Sequence, residues 1–326
     1  MTTHRVHLPQ LRGGLFLADG GLETTLIHHD GVDLPHFAAF DLLRDDAGRA
    51  ILTRYFERYA RLARDRAIGA VLETPTWRAS RDWGARLGHA PETLAALNRS
   101  AVELVVDVRD RLATTRAPIV VSANVGPRGD GYRADHRMTA DEATRYHREQ
   151  VATFATTAAD MVSAFTMTYV EEAIGVVRAA EACAMPVAIS FTVETDGRLP
   201  SGQPLGDAIM ATDHATVGAP AYYMINCAHP VHFADALRAG GAWTARVRGL
   251  RANASRRSHA ELDACPDLDA GDPLELAAAY RGLRDALPGL CVMGGCCGTD
   301  HRHVAAIADA LAPRGSGGRQ ALSRAA

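Results

Sequence analysis

Short runs of apolar residues alternate with longer segments of helical periodicity along almost the whole chain. Eight of the short runs are rich in apolar residues throughout and are predicted to be strands. They span residues 15–22, 70–73, 119–124, 161–166, 187–192, 222–226, 245–250 and 290–294. The segments between them predict helices, among them residues 91–113, 140–158, 170–184 and 273–287. Thr139 and Glu142 form a capping-box signal at the start of the second of these helices.

Strands that are apolar throughout and separated by helices are typical of a parallel sheet covered on both faces. Eight such repeats over about 300 residues favour a closed (β/α)8 TIM barrel, formed as a single domain. The alternative is a Rossmann-like sheet, but no Gly-x-Gly-x-x-Gly follows the first strand. We assign the barrel to residues 14–312, after an N-terminal extension of residues 1–13. Residues 313–326, rich in Gly, Ser and Arg, are predicted to be a disordered tail.

Composition removes several classes of protein. The formal net charge of −3 offers no basic surface for nucleic acid. The chain has no lysine, so all 35 basic residues are arginine, which excludes Schiff-base aldolases, pyridoxal enzymes and P-loop nucleotidases. We find neither a signal peptide nor an apolar run of about 18 residues. We therefore expect a cytoplasmic protein with reduced cysteines and no membrane contact.

In a barrel of this kind the chemistry lies at the carboxyl ends of the strands. Unusual polar residues cluster at just those positions, although the strands were assigned from apolarity alone. They are Asp19, Gly20, Gly21, Glu73, Thr74, Asn124, Thr166, Glu194, Asn226, Cys227, Cys296 and Cys297.

Two adjacent cysteines, Cys296 and Cys297, lie in a Gly-Gly-Cys-Cys-Gly segment after strand 8. By themselves they fit a metal site, a vicinal disulfide or two buried small residues. Cys227 favours the metal, because it ends strand 6 and so opens on the same face of the barrel. Strands 6 and 8 are close enough for three sulfurs to meet one tetrahedral ion. The remaining cysteines, at positions 183, 265 and 291, are interpreted as structural.

Three protein ligands with one open position are typical of a catalytic zinc site. Three thiolates make zinc a poor activator of water but suit it to holding a substrate thiol as a thiolate. The ligand set therefore indicates alkyl transfer onto sulfur rather than hydrolysis. A fourth ligand or a supporting donor could come from His229, His232, His301 or His303, although we favour solvent-facing positions at helix starts for all four. The oxygen of Asn226 is a further candidate for the open position.

These motifs resemble the homocysteine S-methyltransferase family, which includes betaine– and S-methylmethionine–homocysteine methyltransferases. The resemblance spans about residues 14–312 and is carried by residues 19–21, 73–74, 125–127, 189–192, 226–227 and 294–298. It implies zinc on Cys227, Cys296 and Cys297, with the amino-acid end of homocysteine near Asp19 and Gly20. It also implies a small-molecule onium donor, which would be S-methylmethionine, S-adenosylmethionine or a betaine, and methionine as the product. Aromatic rings near the early βα loops are candidates for holding such a donor: Phe37, Phe40, Trp77, Trp83 and Tyr132. A homo-oligomer is left open.

One position departs from the family pattern. Members usually carry a glutamate at the end of strand 4, where it binds the substrate ammonium. Here we place Thr166 at the equivalent position, and its side chain offers no countercharge. Either Glu23, Glu73 or Glu194 compensates, or the acceptor is a different thiol. We expect Asp19, Gly20, Glu73, Thr166 and Asn226 to contact the substrate.

Overall fold

The structure is a computed structural model, which describes residues 4–265 and 267–312. It confirms the barrel: eight parallel strands pair in sequence order, and β1 pairs with β8 to close the sheet. The strands are β1 Phe16–Leu17, β2 Gly69–Glu73, β3 Ile119–Val125, β4 Met161–Met167, β5 Val187–Phe191, β6 Tyr222–Asn226, β7 Val247–Ala252 and β8 Val292–Gly295. The predicted tail, residues 313–326, lies outside the described residues.

Helices follow the strands around the outside of the barrel. They are α1 Leu22–Thr24, α2 Asp46–Asp65, α3 Arg81–Arg86, α4 Pro91–Leu112, α5 Ala140–Ala155, α6 Val170–Ala182, α7 Leu205–Ala215, α8 Pro230–Ala239, α9 His259–Asp263, α10 Pro273–Ala286 and α11 His301–Leu311. The four helices named from the sequence all form. The predicted capping box at Thr139 and Glu142 begins α5. None of the described helices is both long and apolar enough to cross a membrane.

All eight predicted strands form, and the bounds differ most from the prediction in the first and the seventh. The first strand stops at Leu17, because the chain turns at residues 19–21 and α1 begins at Leu22. The seventh starts later and ends later than predicted, since Ala242–Arg246 forms a 3-10 turn and pairing with β8 continues to Ala252. This second shift places Arg251 inside β7.

The amino end of the barrel interior is apolar and closed. Its inward-facing side chains include Phe16, Val71, Val120, Met161, Tyr222 and Val292. The N-terminal extension covers this end: Leu8 packs into the same cluster, and the buried Gln10 donates Nε2–H to the Met161 sulfur at 3.3 Å. Arg5 anchors the extension through the carbonyl of Ala159. Access to the interior is therefore left to the carboxyl end.

Toward the carboxyl end the barrel interior becomes polar. The inward positions there include Glu73, Ser122, Ser163, Ser190, Asn226 and Arg251, all of them buried. Buried polar groups are stable only when they have partners. The partners of these side chains, and the side chains that have none, define the site described next.

Candidate active site

The backbone of β7 positions two of the three cysteines. The amide of Cys227 donates to the carbonyl of Arg251 at 3.1 Å, and the amide of Cys296 donates to the carbonyl of Ala252 at 2.8 Å. Cys227 and Cys296 therefore flank β7 at the same height. Their sulfurs are in contact, paired as in a disulfide, while Cys297 is a free thiol. The three Sγ atoms lie within 4.8 Å of one another, which confirms the predicted cluster.

Unusual backbone geometry aims these thiols. Cys227 has a positive φ of 55°, a conformation that non-glycine residues adopt only when the surroundings hold them there. Here the carbonyl of Cys227 is held by Asn253 Nδ2 at 3.0 Å and by the ring of His259. On the other side Gly21 approaches the Cys296 carbonyl so closely that a Cβ atom would lie 2.6 Å from its oxygen. The turn after β1 thus packs directly on the cysteine pair.

The three cysteines fit a zinc ion. Zinc takes tetrahedral thiolate ligands at about 2.3 Å, which separates the sulfurs by about 3.8 Å. The three thiols are close enough for this arrangement once the Cys227–Cys296 pair is reduced and its sulfurs move apart. Burial raises the pKa of the Cys297 thiol, so the protein alone favours its protonated form. A bound cation would reverse that preference. Among the described residues, no other group of three His, Cys, Asp or Glu side chains has ligand spacing.

The four histidines near the cysteines supply no further ligand. His229 and His303 do begin helices but are buried, so the expectation that all four face solvent is wrong for these two. The side chain of His229 caps α8, and burial, with the charges of Arg256 and His232, lowers its pKa to about 4. His303 completes a capping box on α11 and contacts the Ala270 carbonyl at 2.8 Å.

Thr166 and Asn226 form a closed, neutral pair. Asn226 Nδ2 donates to Thr166 Oγ1 at 3.1 Å, and Asn226 Oδ1 accepts from the Thr166 amide at 3.0 Å and from Ser190 Oγ at 2.6 Å. Thr166 is held at a positive φ of 61°. With both oxygen lone pairs used, Asn226 has none to offer a metal, contrary to the expectation for its oxygen. No charge is present at the end of β4.

The two predicted acids are both buried but differ in their surroundings. Asp19 forms an ion pair with Arg251, a residue that the sequence analysis did not select. Glu73 has no hydrogen-bond partner for either carboxylate oxygen, and burial raises its pKa to about 8. Arg251 was not predicted, because the seventh strand was expected to end at residue 250, which leaves Arg251 outside it.

A cavity of about 460 Å³ opens above these groups, a size typical of small-molecule sites. All eight predicted site residues line it: Asp19, Gly20, Glu73, Thr166, Asn226, Cys227, Cys296 and Cys297. Glu23 also lines it, whereas Glu194 does not and lies 3.5 Å from the ring of His259. Of the other cysteines only Cys265 reaches the cavity wall.

Tyr132, an aromatic candidate for holding an onium donor, covers the thiols, a position that the sequence did not predict. Its hydroxyl lies 3.2 Å from the Sγ of Cys297, and its ring stacks on His259 with centroids 4.1 Å apart. Burial raises the pKa of Tyr132 well above its usual range, so the phenol keeps its proton and can donate it to sulfur. The loop after β3 carries Tyr132 without any periodic pattern that would single it out.

The family model described as homocysteine S-methyltransferase matches residues 16–311. A search of curated proteins gives no significant match. Among solved structures the fold is similar to homocysteine methyltransferase MmuM from Escherichia coli in two forms. The metallated form has a TM-score of 0.75 at 20% identity, covering 93% of this chain and 98% of that one. The oxidized form has a TM-score of 0.73 at 21% identity, covering 92% and 99%.

The family match extends over the whole barrel, from β1 to the end of α11. Its span includes the three cysteines, the turn after β1 and every side chain placed at the cavity floor. The chain therefore belongs to the homocysteine S-methyltransferase family and is a methyltransferase.

Proposed function

We propose that this protein is a zinc-dependent S-methyltransferase that moves a methyl group from an onium donor to a thiol, with homocysteine as the acceptor and methionine as the product. The observation that carries the proposal is the group of three cysteine sulfurs within 4.8 Å of one another at the floor of a cavity. Family membership supports the same acceptor.

Cys227, Cys296 and Cys297 would hold the metal. When bound, zinc would keep the acceptor sulfur in its nucleophilic thiolate form near neutral pH. The protein's own contribution is position: β7 fixes two of the cysteines through backbone hydrogen bonds, and the Tyr132 hydroxyl contacts the third. Such alignment of sulfur, methyl carbon and leaving group is a large part of what an enzyme adds to an in-line displacement.

Negative charge near the sulfurs favours a cationic donor. The carboxyl groups of Glu23 and Asp263 line the same cavity as Cys296 and Cys297, and an approaching cation favours the ionised form of both. An onium group entering that space would be attracted by them and would lose its charge as the methyl group leaves. A neutral or anionic donor would gain nothing from these acids.

Of the aromatic residues considered for an onium site, only some are available. Phe37, Trp77 and Tyr132 line the cavity, whereas Phe40 is fully buried in the core. The Arg78 guanidinium lies 3.8 Å from the centroid of the Trp77 ring, so one face of that ring already carries a cation. Tyr132 is therefore the aromatic ring best placed to meet a donor next to the thiols.

Methyl transfer to homocysteine tests the proposal directly. Reduced protein would be loaded with zinc and assayed for methionine with S-methylmethionine, S-adenosylmethionine and betaine in turn. We expect one donor to give methionine, a chelator to abolish the activity and added zinc to restore it. Full activity in metal-free protein would overturn the role of zinc, and no product from any onium donor would overturn the reaction.

A further inference from the structure

Arg251 is a buried cation with unused donors. Its guanidinium carries five N–H groups. Nε donates to the Gly295 carbonyl at 3.1 Å, and Nη2 is shared between Asp19 and the Gly20 carbonyl, 3.2 Å away. Nη1 is buried and has no partner. Because Arg251 lines the cavity, this leaves a cationic donor there without an acceptor.

Glu73 is a buried hydrogen-bond acceptor in the wall of the same cavity. Both of its carboxylate oxygens are buried and have no hydrogen-bond partner. It lines the cavity on the β2 side, and the charge of Arg251 is close enough to act on it. The hydroxyls of Ser122 and Ser163, which lie in the same polar layer, are paired with each other at 2.7 Å. Glu73 therefore has no cationic partner in contact, and the serine hydroxyls beside it are neutral donors.

One cationic donor and one carboxyl group, neither with a charged partner to spare, lie in one cavity and suit the carboxylate and the ammonium group of an amino acid. The positive charge of a bound ammonium would lower the pKa of Glu73 and ionise it. We propose that Arg251 binds the carboxylate of the acceptor through Nη1 and that Glu73 binds its ammonium group. This proposal rests on the proposed function, because it describes how the thiol acceptor of that reaction is held. It assigns the ammonium to the β2 side of the cavity rather than to the end of β4.

The other polar groups at the cavity floor are less suited to binding the ammonium group. The charge of Asp19 is already matched by Arg251. Thr166 is uncharged, and its hydroxyl is engaged by Asn226. Glu23 lines the cavity together with Cys297, and we propose that the donor binds beside these thiols. Glu73 is the acid for which the structure provides no other partner.

Four thiols separate the two contacts. Homocysteine carries both charged groups, 4-mercaptobutyrate lacks the ammonium, 3-aminopropane-1-thiol lacks the carboxylate, and propane-1-thiol lacks both. Their dissociation constants for the reduced, zinc-loaded enzyme would be measured by calorimetry without a methyl donor. We expect loss of either group to weaken binding by about 30-fold or more. Equal affinity for homocysteine and either truncated thiol would overturn the corresponding contact.

Variants link each contact to its residue. Arg251→Gln should weaken homocysteine and 4-mercaptobutyrate by about 30-fold but leave 3-aminopropane-1-thiol unchanged. Glu73→Gln should weaken homocysteine and 3-aminopropane-1-thiol but not 4-mercaptobutyrate. Unchanged binding of propane-1-thiol is the control that the site is intact. Equal weakening of all four thiols by a variant that still folds would contradict a role in recognising the head group.

The outcomes distinguish this inference from the proposed function. If the residue-specific losses appear but no onium donor methylates homocysteine, head-group recognition stands and the methyl-transfer proposal fails. If methionine forms but the losses are absent, the inference alone fails. Should Arg251→Gln not fold, the wild-type thiol series and Glu73→Gln still decide the question.

Discussion

The two sides of the barrel's carboxyl end are built in different ways. On the β6–β8 side, backbone pairing with β7 positions Cys227 and Cys296, so sheet register alone brings them together. On the β1–β4 side, position depends on side chains, as in the ion pair that joins Asp19, after β1, to Arg251 in β7, with β8 between them. On the first of these, the metal side, the positions of the metal ligands therefore depend on backbone pairing between strands. On the second, the substrate side, the positions of the substrate-binding groups depend on contacts between charged side chains. Changes on the two sides should have separable effects.

The largest effect should follow from breaking the metal side. We expect Cys296→Ala to lower zinc affinity by more than about 100-fold, since it removes one of three ligands and even the loss of a supporting contact costs 10- to 100-fold. Methyl transfer should be lost with the metal. Bound zinc would be measured in reduced, dialysed protein. Cys291→Ala, a buried cysteine at the other end of β8, is the matched control and should keep its zinc.

On the substrate side, Glu73 should make stability depend on pH. Burial raises its pKa from 4.5 to about 8, so above about pH 5 the folded chain keeps a proton that the unfolded chain releases. The free energy of unfolding of the wild type should therefore fall as pH rises from about 5 to 8. Glu73→Gln removes this titration. The free energy of unfolding of the variant, minus that of the wild type, should therefore increase by on the order of 4 kcal/mol across that range. Urea unfolding at several pH values measures it; a constant difference would contradict a buried neutral Glu73.

Thr166→Glu tests whether the β4 position can still hold an acid. We expect the free energy of unfolding to drop by about 2–4 kcal/mol, because the change removes the hydroxyl that accepts from Asn226 Nδ2 and buries a carboxylate without a cationic partner. Thr166→Ser keeps the hydroxyl and should cost less than about 1 kcal/mol. Denaturant unfolding of both variants gives the comparison. A stable glutamate variant that binds homocysteine more tightly would show that the end of β4, rather than Glu73, is where the ammonium group binds.

The smallest effect should come from Tyr132, which supports the metal side from a loop. Tyr132→Phe removes the hydroxyl next to Cys297, and we expect zinc affinity to fall by about tenfold. Tyr146→Phe is the control, because that hydroxyl bonds to Ser80 away from the cysteines. Competition with a chelating dye reports both affinities. An unchanged affinity in the first variant would show that the Tyr132 contact is incidental.

The sequence predicted the barrel and the metal side well because both depend on local signals. Apolar runs mark strands, parallel order fixes which ends share a face, and cysteine chemistry identifies a soft metal site. Strand 7 was the exception. The prediction ended it at residue 250. In the structure the strand continues through the charged Arg251 to Ala252.

The substrate side could not be read in the same way. Asp19 was predicted as a substrate contact, but its pairing with Arg251 joins residues 232 positions apart along the chain, counted from their numbers. Such a pairing forms only when the folded barrel brings the two side chains together, and it leaves no local pattern in the sequence. For the same reason the burial of His229 and His303 was missed, since a helix-start position does not say which way a capping ring turns.

X-ray absorption at the zinc edge tests the central claim most directly. The reduced, zinc-loaded protein would be measured before and after homocysteine is added, and the number of sulfur neighbours of the metal compared. We predict three sulfur neighbours without the acceptor and four with it, because the open position receives the acceptor thiol. A sulfur count that stays the same when homocysteine binds would contradict activation of the acceptor by these three cysteines.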